Sequence, residues 1–262
     1  MIAVSRRTVT LAVCAAVVAA TLAVAAFAPL PLSLVEPGLT ANVLGADKGT
    51  QIITVRGVPV RKTSGQLRMV TIAATDPSAS VHFSDVWSAW WSKKRAVMPR
   101  DSVYPGGGSV QEIEKANEKQ MADSQQDATS AALKQLGLSP SQVKVTLRLA
   151  DVGGPSAGLL FTLGIIDKVD GDGHGGDLTG GHTIAGTGTI DASGGVGAVG
   201  GVPMKELAAL RDGATVFIVP RAECSDATAE LPGGLRLIPV TTLNGALSAL
   251  SALRSGKPAP RC

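Results

Sequence analysis

VKVTLRLADVGGPSAGLLFTLGIIDKV, residues 143–169, joins two hydrophobic rhythms through a glycine turn. Val143, Val145, Leu147 and Leu149 alternate with Lys144, Thr146 and Arg148, which is the period of a half-buried strand. Beyond Gly158 the chain is apolar almost to Val169, as a buried helix would be. Ser156 sits in the turn between them. Pro155 is pre-organised for a first helical turn, and the N–H groups of a helix start have no partner within the helix. Gly153, Gly154 and Gly158 let other backbone approach closely. On these residues alone two readings stand. One is a structural glycine turn. In the other, Ser156 is a nucleophile and the N–H groups of Gly154, Ser156 and Ala157 hold an oxyanion.

Working outward, Ser109 followed by Glu112 forms a capping box. It opens a long helix with Ile113, Met121, Ala128, Ala132 and Leu136 on one face, closed by Gly137. Strands are expected in QIITVRGVPV (51–60), GQLRMVTIAA (65–74), TIAGTGTID (183–191), TVFIVP (215–220) and LRLIPV (235–240). Helices are expected at PMKELAALRDG (203–213) and from Thr242 to Leu253. Alternating strands and helices predict an α/β (α+β) domain. Trp87, Trp90 and Trp91 share one face of a short helix, packed on the core or lying near a membrane surface. Lys93–Arg95 reads as the solvated end of that helix.

The chain has 262 residues and a net charge of +3, spread without a basic patch, which argues against a nucleic-acid partner. Arg6 and Arg7 precede an apolar run that carries no charge until Glu36. About 20 apolar residues can span a bilayer, and the arginines favour a cytoplasmic N-terminus. The expectation is a single-pass anchor with the domain extracytoplasmic; the alternative is a signal peptide cut near Ala26–Ala28 and a secreted product. Residues 1–34 are then anchor or signal, 35–50 a linker, 51–140 the N-terminal part of the domain and 141–262 its catalytic core. Outside the membrane, Cys224 and Cys262 have the option of a disulfide.

GPSAG also fits the nucleophile elbow G-x-S-x-G, whose fold needs a histidine near the chain end. The three histidines are His82, His174 and His182, and the final 80 residues hold none. A lysine is the obvious substitute base, and Lys205 lies just inside a helix start. A free lysine titrates near pH 10.4, so work near neutrality requires a depressed pKa, at a cost of roughly 4 kcal/mol. Apolar burial and the positive helix end both act in that direction. Gly195, Gly197 and Gly200 imitate a dinucleotide fingerprint, but the acidic residue expected about 20 residues on is missing. DGDGHGGD (170–177) looks like a calcium loop with its glycine and glutamate misplaced, and reads better as a mobile surface loop. No cofactor or metal is expected.

Together, GGPSAGL, AGTGTI (185–190) and VGGVPMK (199–205), with KQMADSQQDATSAALKQLG (119–137) upstream, resemble the proteolytic domain of Lon proteases. The likeness is greatest to the membrane-anchored bacterial Lon-like proteases that carry a PDZ domain. That resemblance implies a fold of mixed sheets and packed helices behind one N-terminal membrane helix. It implies a Ser-Lys dyad, with Ser156 as nucleophile, Lys205 as general base and Thr187 hydrogen-bonding the lysine. The family's charged residue before the serine motif is replaced here by Gly153, as in the PDZ-bearing relatives. The chain has no Walker A motif and no room for a PDZ domain between Leu136 and Gly153. The expected activity is ATP-independent endopeptidase cleavage of flexible or unfolded protein segments, in a homo-oligomer that the family builds as a hexameric ring. The alternative is an inactive Lon-like extracytoplasmic binding or scaffold protein.

Overall fold

The computed structural model describes residues 5–104, 108–149 and 154–262. Its elements run α1 (Arg6–Phe27), β1 (Leu32–Asn42), β2 (Ala46–Asp47), β3 (Thr50–Gln51), β4 (Ile53–Arg56), β5 (Gln66–Ala74), α2 (Phe83–Trp90), β6 (Ala96–Pro99), α3 (Arg100–Val103) and α4 (Val110–Leu136). There follow β7 (Lys144–Leu147), α5 (Gly158–Val169), β8 (Thr183–Gly186), β9 (Thr189–Ile190), β10 (Val196–Gly197), α6 (Val202–Arg211) and β11 (Val216–Pro220). A 3-10 turn (Arg221–Glu223), α7 (Cys224–Ala229), β12 (Arg236–Val240) and α8 (Leu243–Arg254) complete the described chain.

The main sheet has six strands in the order β12-β11-β8-β5-β1-β6. The first four run parallel, and β1 and β6 add antiparallel pairings at one edge. The mixed sheet agrees with the fold expected from the sequence. Alternation along its strands feeds two apolar layers. Leu67, Met69, Ile184, Val216 and Ile218 join a cluster built with α4, α5 and α8. Val70, Ala185, Phe217 and Val219 point the other way, into a smaller cluster with Val202 and Ala209 of α6 and Ala227 of α7. A strand buried on both faces reads as a continuous apolar run, which is why every residue of β11 is buried.

Four local outcomes differ from the sequence reading. Residues 32–42, assigned to the end of the anchor and a linker, form β1, an 11-residue strand. Leu34, Glu36 and Pro37 gave it no clean alternation, because a bulge between Pro37 and Thr40 interrupts its register with β5. TIAGTGTID is two strands, broken at Thr187-Gly188. Of the two places expected for the tryptophans, the core does not hold: Trp90 is 80% and Trp91 73% exposed. The polar loop after α5 is clamped. Arg61 donates to the carbonyls of Asp167 (3.2 Å) and Gly175 (2.8 Å), and Arg254 donates to that of Asp177 (3.0 Å). Among the described residues no cluster of His, Cys, Asp and Glu could hold a metal there. Cys224 and Cys262 are joined in a disulfide, Cα to Cα 5.2 Å, which ties the C-terminus to α7.

Candidate active site

The serine turn is shaped by its glycines. Gly154 has φ +85°, a left-handed conformation that other residues rarely adopt. A Cβ on Gly158 would lie 2.9 Å from Ser124 Oγ and 3.1 Å from Ile190 Cγ2, so only glycine lets the turn settle between α4 and β9. Pro155 does not begin the helix, as its residue type suggested. The Gly158 N–H donates to the Pro155 carbonyl (3.3 Å), making a turn, and α5 starts at Gly158. Ser156 is therefore placed just ahead of the helix and is half-buried. Among the described residues, the N–H groups of Gly154, Ser156 and Ala157 have no hydrogen-bond acceptor. That leaves three donors free at the positive end of a twelve-residue helix.

The far side of the site comes from α6. Gly201 caps it with φ +69°, Pro203 sits in its first turn, and Lys205 follows. Lys205 is only 3% exposed. Its amine donates to Thr187 Oγ1 at 3.1 Å. Thr187, itself wholly buried, donates its hydroxyl proton to the Ser156 carbonyl at 3.3 Å, and the Gly188 N–H donates to the same carbonyl at 2.9 Å. The break between β8 and β9 thus joins the serine turn to the lysine helix. Burial pulls the Lys205 amine down to about 8, while Glu223 on the 3-10 turn acts weakly in the opposite direction.

The structure brings together Ser156, Lys205, Thr187, Gly154 and Ala157. Gly153 lies outside the described residues. His174 and His182 are exposed, His82 caps α2, and none hydrogen-bonds to the serine turn among the described residues. The dinucleotide-like glycines are dispersed: Gly197 belongs to the β9–β10 hairpin, Gly195 closes its turn onto Asp191, and Gly200 lies beyond it. One contributor escaped the sequence reading. Ser124 of α4 is buried and donates to the Pro155 carbonyl at 3.0 Å. Its signal was present, since it falls on the buried face of α4 between Met121 and Ala128. A cleft of about 430 Å³ opens beside Pro155, lined on one side by Gln120, Asp123 and Asp127 of α4 and on the other by Thr189 and Asp191.

A serine turn with free N–H donors, its backbone carbonyl tied through a threonine to a dry lysine, is an arrangement suited to acyl transfer. Comparison with curated proteins gives no match. Residues 142–251, which hold all of these groups but Ser124, match the family model described as the Lon protease (S16) C-terminal proteolytic domain, and the chain therefore carries a Lon-type protease domain.

Proposed function

We propose that this protein is a serine endopeptidase in which Ser156 and Lys205 form the working dyad. The observation that carries the reading is the buried Lys205 amine tied to Thr187, whose hydroxyl is tied to Ser156. Thr187 has one hydroxyl proton and gives it to the Ser156 carbonyl, so its lone pair must accept from the lysine. A neutral amine used in that way keeps its own lone pair free for the Ser156 hydroxyl.

In the proposed reaction, Ser156 Oγ attacks the peptide carbonyl carbon and its proton passes to Lys205 Nζ. The tetrahedral oxyanion is held by the N–H groups of Gly154, Ser156 and Ala157. The C–N bond then breaks, the lysine protonates the departing amine, and an acyl-enzyme remains. Water, deprotonated by Lys205, attacks the ester carbon; the bond to Ser156 Oγ breaks, the lysine returns the proton to that oxygen, and the acid is released. The open cleft beside Pro155 suits an extended segment, which makes flexible or unfolded chains the proposed substrates. No phosphate-binding loop supports a nucleotide requirement, so cleavage is proposed to proceed without ATP. The 22-residue helix α1 is long and apolar enough to cross a membrane. We place it there, with the domain on the extracytoplasmic side.

Incubation with a fluorophosphonate probe, together with cleavage of an unfolded protein, tests the reading. Specific labelling at Ser156 and a rate that climbs with pH up to about 8, as Lys205 loses its proton, are expected. A folded protein that neither labels nor cleaves at any pH would instead be the inactive binding or scaffold protein.

A further inference from the structure

The tryptophan helix α2 is unused by the proposed chemistry, and its exposure is unusual. Phe83, Trp87, Trp90 and Trp91 follow helical spacing and form one stripe, with Phe83 52% and Trp87 57% exposed. Ala89 on another face is buried against the domain. The rings order one another: Phe83 stacks on Trp87 at 6.2 Å, and Trp87 meets Trp91 edge-on at 6.0 Å. Four large aromatics held together in water form a patch that calls for a cover.

What covers it is indicated by its neighbour. α2 packs against α1. The contact is at the C-terminal end of α1, where Ala26 and Phe27 line one apolar recess with His82, Phe83 and Trp87. No residue of α1 is buried against the domain. With α1 across a bilayer, its last turn and the aromatic stripe share the depth at which hydrocarbon gives way to headgroups. Tryptophan is enriched at that depth, its ring in the acyl boundary and its indole N–H toward polar groups. Lys93 and Lys94 follow α2, both exposed, and suit anionic headgroups. Arg95 differs, since it is paired with Glu36 at 2.7 Å.

We propose that the aromatic stripe of α2 is a second membrane contact, lying in the interfacial layer beside α1 and fixing the tilt of the domain against the lipid surface. This inference rests on the placement of α1 in the membrane and not on the peptidase chemistry. A single flexible tether would let the domain swing; a second contact would not.

Trp87, Trp90 and Trp91 are the only tryptophans in the chain, so tryptophan emission reads this patch alone. The test uses the full chain carrying Ser156→Ala, reconstituted into phosphatidylcholine vesicles with and without phosphatidylglycerol. Lipids brominated near the headgroup end of their acyl chains are compared with unbrominated ones. Expected are a blue-shifted emission and a loss of about half its intensity or more with brominated lipid. Lys93→Gln with Lys94→Gln should weaken the quenching in phosphatidylglycerol vesicles only. Emission quenched by aqueous acrylamide and indifferent to bromine would overturn the inference, because the stripe then faces water. Protection from both quenchers would also overturn it, with a second copy or another protein as the cover. A chain that fails to float with the vesicles would remove the anchor and this contact together, while leaving the dyad untouched.

Discussion

Two buried charged regions of this molecule look alike in sequence and behave differently in structure. Around Asp167, at the end of α5, the buried carboxylate accepts the Leu178 N–H at 2.7 Å and has Arg61 4.0 Å away. Arg61 also reaches Asp177 at 3.5 Å, and Arg254 pairs with Asp172 at 3.0 Å. Around Lys205, an equally buried amine has one hydroxyl and no carboxylate within ion-pair distance among the described residues. The first region sets counter-charges near its carboxylate and pins a loop, although Asp167 Oδ2 has no hydrogen-bond partner among the described residues. The second withholds such counter-charges, and desolvation then favours the uncharged amine. The first arrangement holds a loop, and the second keeps an amine ready to lose its proton.

The comparison breaks most visibly if the second region is also structural. Ser156→Ala and Lys205→Met are each expected to lower peptide cleavage by about 10⁴-fold or more, with thermal unfolding of Lys205→Met no lower than wild type. Methionine fills the same volume without a buried amine to desolvate. A large loss of melting temperature in Lys205→Met would place the lysine with the structural charges. The converse variant is Arg61→Ala. It leaves Asp167 buried without its cation and should cost about 2 kcal/mol in urea unfolding, less than a wholly buried pair because Arg61 is partly exposed. Turnover by the folded fraction should be unchanged. Thr187→Val comes next, with a loss of about tenfold in kcat, a shifted pH profile and an intact fold, since it removes only the hydroxyl between serine and lysine. An unchanged pH profile in that variant would separate the threonine from the lysine's titration.

The same contrast explains what the sequence made legible. Capping at Ser109–Glu112, the alternation of β7 and the apolar run of α5 are local signals, and each element formed where its pattern placed it. Lys205 in isolation reads as any lysine near a helix start; the lack of a suitable histidine nominates it, and the family motifs single it out. Its helix packs against β1, β5 and α7, and its amine meets Thr187, none of which is adjacent to it in sequence. Arg61 carries no local signal of its role, because its targets Asp167 and Gly175 lie more than a hundred residues away. The strand β1 was missed for a related reason. Its bulge destroys the alternation, and its pairing with β5 and β6 is visible only in three dimensions.

Glu206 provides the narrowest test, since it follows Lys205 in sequence but belongs to neither region. It lies on the α6 face of Val202 and Ala209, is 0% exposed, and neither carboxyl oxygen has a hydrogen-bond partner among the described residues. Burial, helped by Asp226 on α7, pushes its pKa up to about 8. The strands packed against α6 bring Glu36, which is engaged with Arg95, and Arg68, which is engaged with Gln66, Thr40 and Asp212. Between the ordinary carboxyl value of 4.5 and about 8, the folded chain keeps a proton that the unfolded chain releases. Stability therefore falls as pH rises through that window, by about 1.4 kcal/mol per pH unit at most. Asp167, raised to about 6, adds to the fall only in the lower part of the window. Lys205 acts oppositely between about 8 and 10.5, where the unfolded chain holds the proton and stability recovers. Urea unfolding of the Ser156→Ala protein at several pH values from about 6.5 to 8 should show the decline, and Glu206→Gln should flatten it. An equal slope in both proteins would mean that Glu206 finds a partner in solution and loses its proton as an ordinary carboxyl does.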